Sequence, residues 1–168
     1  MDIIQERRTA DITGTLEADE PFAVFLIGMR INKPLKLHKW VPVATAMSRM
    51  IKELEQTPNS DLLNVESWFG RTTMMVQYWR SFAALEQYAK NSDLEHRPAW
   101  AEFNRKVASN GDVGIWHETY LIADQHFECV YNNMPAFGLA KATSSVPATG
   151  HRSHASDRLN TSVQESSL

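Results

Sequence analysis

Six residues, Met74–Trp79, alternate with a period of two, and the chain turns helical two residues later. Met74, Val76 and Tyr78 share one face of this expected strand; Met75, Gln77 and Trp79 share the other. Ser81 is a good helix N-cap, and Phe82, Leu85 and Ala89 then recur at helical spacing. Asn91-Ser92-Asp93 breaks that helix. Pro98 suits the first turn of another, which Trp100, Phe103 and Val107 supply with an apolar stripe. A strand feeding two helices needs further strands to complete a sheet, and the rest of the chain provides them.

Pro21 opens a first strand over residues 22–30, apolar almost throughout and so expected to be buried on both faces. Asn32-Lys33-Pro34 ends it, and residues 36–40 read as a loop. Pro42 suits a first helical position, after which Val43, Met47, Met50, Ile51 and Leu54 line one helix face until about Gln56. Leu63, Val65, Ser67 and Phe69 alternate as a second strand, linked by Gly70-Arg71 to the third. Asn110-Gly111-Asp112 is a turn. A fourth strand, Val113–Ile122, places Ile115, His117, Thr119 and Leu121 on one face and Trp116, Glu118, Tyr120 and Ile122 on the other. Residues 126–132 read as a short fifth strand with Phe127, Cys129 and Tyr131 on one face.

The order is the βαββαβ pattern of an α+β, ferredoxin-like fold with an antiparallel sheet. Helices on one face leave the other bare, which predicts pairing of two such faces in a homodimer. The expected organisation is an N-terminal arm over residues 1–20, lying along a partner subunit, the domain over 21–139, and a flexible tail over 140–168. Residues 143–168 hold too little apolar surface to order themselves alone.

Net charge is −3, from 17 basic and 20 acidic residues, so no basic surplus points to nucleic acid or to an anionic membrane. No apolar run approaches the roughly 18 residues of a membrane helix. The first residues lack an apolar core, so a secretory signal is not expected. The single cysteine, Cys129, cannot form an internal disulfide, and a reducing cytoplasm is the expected location. Five Trp, seven Phe and seven Met fit either a well-filled core or a pocket lined by soft, flat side chains.

Tyr78-Trp79-Arg80-Ser81 leading into a helix, followed by His96 and Trp100, resembles the dimeric α/β-barrel superfamily. That superfamily includes antibiotic-biosynthesis monooxygenases, haem-degrading monooxygenases and aldoxime dehydratases. Trp116-His117-Glu118-Thr119-Tyr120 and Val130-Tyr131-Asn132-Asn133-Met134-Pro135 are more closely similar to an unknown-function domain family named after fungal monooxygenase-like proteins. The resemblance covers residues 21–139. It implies a small monooxygenase-like homodimer that oxidises a flat hydrophobic or aromatic molecule in an apolar pocket. The cofactor is then either absent or haem, because no dinucleotide fingerprint, P-loop or nucleophile elbow occurs.

His117 is the candidate base or substrate-orienting group, with Trp79, Trp100 and Tyr120 shaping the site. The alternative for His117 is a partner at a dimer interface. Glu118 points the other way and reads as a salt-bridge residue. The resemblance implies for His96 the place of a haem-binding axial histidine, with Tyr88 as a distal aromatic and Asn32 near the distal side. The competing readings are a helix-start residue beside Asp93 or Glu95 for His96, and a strand terminator for Asn32. As a group His38, Trp40, Trp68, Trp79 and Trp100 suit a flat ligand; singly, each suits a core. His151 and His154 lack a third partner, so no metal site is expected. Tyr131, Asn132 and Asn133 either close a pocket mouth or shape a turn. Three function classes follow: a cofactor-free monooxygenase, a haem protein (degrading enzyme, dehydratase or carrier), and a non-catalytic ligand-binding or dimerisation module.

Overall fold

The computed structural model describes residues 3–16, 20–57, 60–91, 111–123 and 126–164, without the side chains of 160–164. In chain order its elements are β1 (Arg8–Asp11), β2 (Phe22–Ile31), α1 (Leu37–Gln56), β3 (Leu62–Trp68), β4 (Met74–Trp79), α2 (Phe82–Lys90), β5 (Val113–Ile122), α3 (Leu139–Ala142), β6 (Ser144–Pro147), a single 3₁₀ turn (Gly150–Arg152) and α4 (Ala155–Gln164). The four-stranded sheet has the order β3-β4-β2-β5, with every neighbour antiparallel. This is the ferredoxin-like arrangement expected from the βαββαβ order.

Register assigns the faces, because residues directly opposite one another on adjacent strands point the same way. Ala23, Phe25, Ile27 and Met29 of β2 share a face with Met75, Gln77 and Trp79 of β4 and with Ile115, His117 and Thr119 of β5. Helices α1 and α2 cover this face. Val43 and Met47 pack with Met29 and Met75 in one cluster; Leu54 and Leu85 pack with Ala23 and Trp79 in another. Each such fully buried side chain contributes roughly 1.5–3 kcal/mol. The opposite face carries Phe22, Val24 and Leu26, Val76 and Tyr78, and Trp116, Glu118, Tyr120 and Ile122.

Local chemistry explains most element boundaries. The Ser81 hydroxyl accepts a hydrogen bond from the Ala84 backbone N–H at 3.2 Å, capping α2 as expected. Helix α1 begins a turn earlier than the spacing predicts, at Leu37, and takes in the residues expected to be loop; Pro42 lies inside it. Pro42 is exposed and its missing N–H costs one helical hydrogen bond in the second turn. In β3 a register irregularity between Leu62 and Asn64 breaks the expected alternation. Leu62 joins the helix-side cluster and Leu63 the opposite one, so Leu63 and Val65 do not share a face. Gly28 is required by close approach: a Cβ there would stand 2.0 Å from the Thr73 carbonyl oxygen and 2.7 Å from Trp116 Nε1.

The expected arm and tail are corrected in part. Residues 8–11 and 144–147 pair antiparallel as a small second sheet, from Arg8↔Pro147 to Asp11↔Ser144. They do so within one chain. Together with α3 they lie on the helix-free face of the main sheet, where Ala10, Ile12, Leu16, Phe22, Leu139, Ala140 and Ala142 form a third apolar cluster. Each segment is too polar to order alone, and each satisfies the other's backbone groups. Residues 150–152 and 155–164 are also helical rather than a loose tail. The expected fifth strand is an extended segment outside both sheets. Its alternation is as expected, since Phe127, Cys129 and Tyr131 all face the third cluster. Tyr131 exchanges two backbone hydrogen bonds with Arg8, each 2.8 Å.

Candidate active site

The helix-covered face holds a cavity of about 50 Å³ between the sheet, α1 and α2, partly open to its surroundings. Phe25, Ile27, Met75 and Gln77 form its floor. Met47, Met50 and Ile51 from α1 and Leu85 and Tyr88 from α2 form its walls. Three methionines make an adaptable apolar lining. On the β4 part of the floor, Gln77 is the polar residue between Met75 and Trp79.

Trp79 is 2% exposed. Its indole Nε1–H donates to Gln77 Oε1 at 2.9 Å, and its ring lies 5.5 Å from that of Tyr88. The residue expected to shape the site therefore sits just behind the cavity wall and acts on it through Gln77. His117 lies on the same sheet face, opposite Ile27 on the edge strand β5. Its ring centroid is 5.7 Å from that of Phe25, so it borders the floor without lining the cavity. Tyr120 occupies the other face of β5, 50% exposed, and its hydroxyl donates to Glu118 Oε2 at 2.6 Å. This contact raises the phenol's pKa. Within one chain His117 and Tyr120 thus face away from each other, and Glu118 pairs with Tyr120. His96 and Trp100 lie outside the described residues.

The other aromatic candidates do not converge. Trp40 donates to the Pro34 carbonyl at 3.0 Å beside the start of α1, where His38 is exposed. Trp68 lies on the helix-free face, edge-on to Phe137 with centroids 6.0 Å apart. Asn32 ends β2 by donating to the Gly111 carbonyl, which is the terminator role. Asn132 and Asn133 sit in the bend after Tyr131, and Asn133 has a positive φ of 53°. Among the described residues no histidine or cysteine lines the cavity.

A second polar group lies under the terminal segments. Asn64 Nδ2 donates to the Gly138 carbonyl and to Glu66 Oε1, each at 3.1 Å. Cys129 Sγ accepts from the Ala10 N–H at 3.3 Å. Burial chiefly, then the neighbouring Cys129, raises the pKa of both Tyr78 and Tyr131. These tyrosines are held neutral and tie the C-terminal segment to the sheet. Among the described residues, no helix is long and apolar enough to cross a membrane.

Spacing alone could have singled out Gln77, as one amide between Met75 and Trp79 on an otherwise apolar strand face. The cavity itself had no local signal, because α1, α2, β2 and β4 come together only through the topology.

Several known proteins are similar to this chain. An aldoxime dehydratase (OxdRE) solved with butyraldoxime superimposes with a TM-score of 0.55 at 13% identity, over 74% of this chain and 39% of that one. SnoaB, a cofactor-independent oxygenase from Streptomyces nogalater, is matched at a TM-score of 0.43 and 8% identity, over 60% of this chain and 91% of that one. A curated relative, Monooxygenase af470 of Aspergillus fumigatus, is 27% identical over 149 residues, which is 79% of this chain and 52% of the relative. The chain thus spans about half the length of that relative. The family model described as Monooxygenase af470-like matches residues 22–139. With most of the chain matched, including all four strands of the main sheet and both helices that enclose the cavity, the protein belongs to the Monooxygenase af470-like family.

Proposed function

We propose that the protein is a homodimeric monooxygenase that oxidises a small, flat, hydrophobic or aromatic substrate without a protein-held cofactor. The observation that carries this reading is the apolar cavity between sheet and helices in a member of a monooxygenase family. Chemistry of this class needs an electron-rich substrate: a CH₂ activated by an aromatic ring becomes C=O, one oxygen atom of O₂ is inserted, and the other leaves as water. The substrate supplies all four electrons. The protein's part is to desolvate the substrate, hold it and take a proton.

His117 is the proposed base, because it borders the cavity floor at Phe25 and Ile27. The proposed dimer would pair the helix-free faces of two chains. The terminal segments cover the Phe22 end of that face and leave Trp68 and Tyr120 respectively 42% and 50% exposed. Oxygen uptake with polycyclic phenols tests the activity: turnover should fall at least tenfold in His117→Ala. Unchanged turnover in that variant would remove His117 from the mechanism.

A further inference from the structure

One amide on the cavity floor, that of Gln77, is fixed in orientation. An indole N–H is a donor only, so the Gln77 atom that meets Trp79 at 2.9 Å is the carbonyl oxygen. The amide nitrogen must therefore point the other way. Among the described residues it donates to no protein group, and it keeps some accessible surface, although Gln77 is only 6% exposed and belongs to the cavity floor. A primary amide has two N–H donors. Leaving them unpaired in an apolar chamber is costly unless a ligand or water accepts from them.

We infer that Gln77 is the hydrogen-bond donor that recognises an acceptor oxygen, of the carbonyl or phenolate kind, on the flat apolar molecule held in this cavity. The inference rests on the cavity being the ligand site. Trp79 is then a positioning residue, fixing which end of the amide faces the ligand. The geometry also relates the donor to the proposed base. Gln77 lies opposite Phe25 on one side of β2, and His117 lies opposite Ile27 on the other. Two strand spacings across and two residues along place them roughly 12 Å apart. A flat molecule reaching out of the partly open cavity along Phe25 would place its oxygen at Gln77 and its acidic C–H toward His117. A donor at that oxygen favours the anion left by deprotonation.

A pair of isosteric probes tests this without any substitution: acetophenone, and α-methylstyrene, in which a CH₂ replaces the carbonyl oxygen. By isothermal titration the protein should bind acetophenone about fivefold to tenfold more tightly. Gln77→Met should bring that preference below about twofold while still binding both. Gln77→Glu, which keeps an acceptor for Trp79 and removes the amide donors, should lower it as well. Loss of both probes in Met50→Trp, which fills the cavity, places the binding there. Equal binding of the two probes by the unaltered protein would overturn the donor role and leave the cavity reading intact. Binding of neither would overturn the cavity reading and the donor role with it.

Discussion

Replacing Trp79 by Phe should destabilise the protein by about 2–4 kcal/mol, most of it through Gln77. Trp79 is 2% exposed and makes one side-chain hydrogen bond, its Nε1–H to Gln77 Oε1 at 2.9 Å. Phe keeps the ring against Tyr88 and Leu85 but removes the donor. The Gln77 oxygen is then buried without a partner, at a cost of roughly 1–3 kcal/mol. The smaller ring adds about 1 kcal/mol of lost contact. Gln77→Met alone strands the indole N–H and should cost a similar 1–3 kcal/mol. The double variant removes both partners, so only the packing loss remains, about 1–2 kcal/mol. The sum of the two single effects should therefore exceed the double effect by about 2–5 kcal/mol, the mark of a direct interaction. Urea unfolding read by far-ultraviolet circular dichroism measures all four proteins, provided the dependence on denaturant is unchanged. Strict additivity, or a Trp79→Phe cost below about 0.5 kcal/mol, would refute the hydrogen bond that sets the Gln77 amide.

Other expectations follow from the same contacts. Gly28→Ala should cost about 3 kcal/mol by urea unfolding, at the upper end for overpacking. The added Cβ would meet the Thr73 carbonyl at 2.0 Å, and Thr73 is held by hydrogen bonds to both Met29 N–H and Met29 C=O. A cost under about 1 kcal/mol would show that this backbone yields. Stability should fall as pH rises above about 10: Tyr78 and Tyr131 have folded pKa values above that of the unfolded chain, which therefore releases its protons first. Phenolate absorbance should accordingly show Tyr78 and Tyr131 ionising only as the fold is lost. Sedimentation at micromolar concentration should give a dimer, and Trp68→Glu with Tyr120→Glu should weaken it; a monomer in the unaltered protein would remove the proposed face pairing.

How far the sequence foretold these features depended on whether the signal was local. The alternation of Met74–Trp79, the Ser81 cap and the span of β5 are local patterns, and all three recur in the structure. The βαββαβ order followed from them. What local reading misses is pairing between distant segments: residues 8–11 and 144–147 carry too few apolar side chains to announce a strand, and become one only against each other. The shift in β3 is similarly invisible, since Leu63 and Val65 look alike in the sequence and part only at the irregularity. At the candidate site, periodicity put His117 and Tyr120 on opposite faces of one strand. Composition suggested a common aromatic pocket, whereas Trp40, Trp68 and Trp79 lie at the start of α1, on the helix-free face and behind the cavity respectively. Gln77, the polar residue of that strand face, was in plain view, but its meaning depends on Trp79 two residues on and on helices from elsewhere in the chain.

The most direct test of the account is oxygen consumption by the purified, metal-free protein with an electron-rich polycyclic phenol, compared with a Met50→Trp variant whose cavity is filled. The account predicts saturable uptake of one O₂ per oxidised substrate, abolished in the filled variant while its thermal unfolding remains cooperative. Equal uptake in both proteins, or none in the unaltered protein across a panel of such phenols, would contradict it.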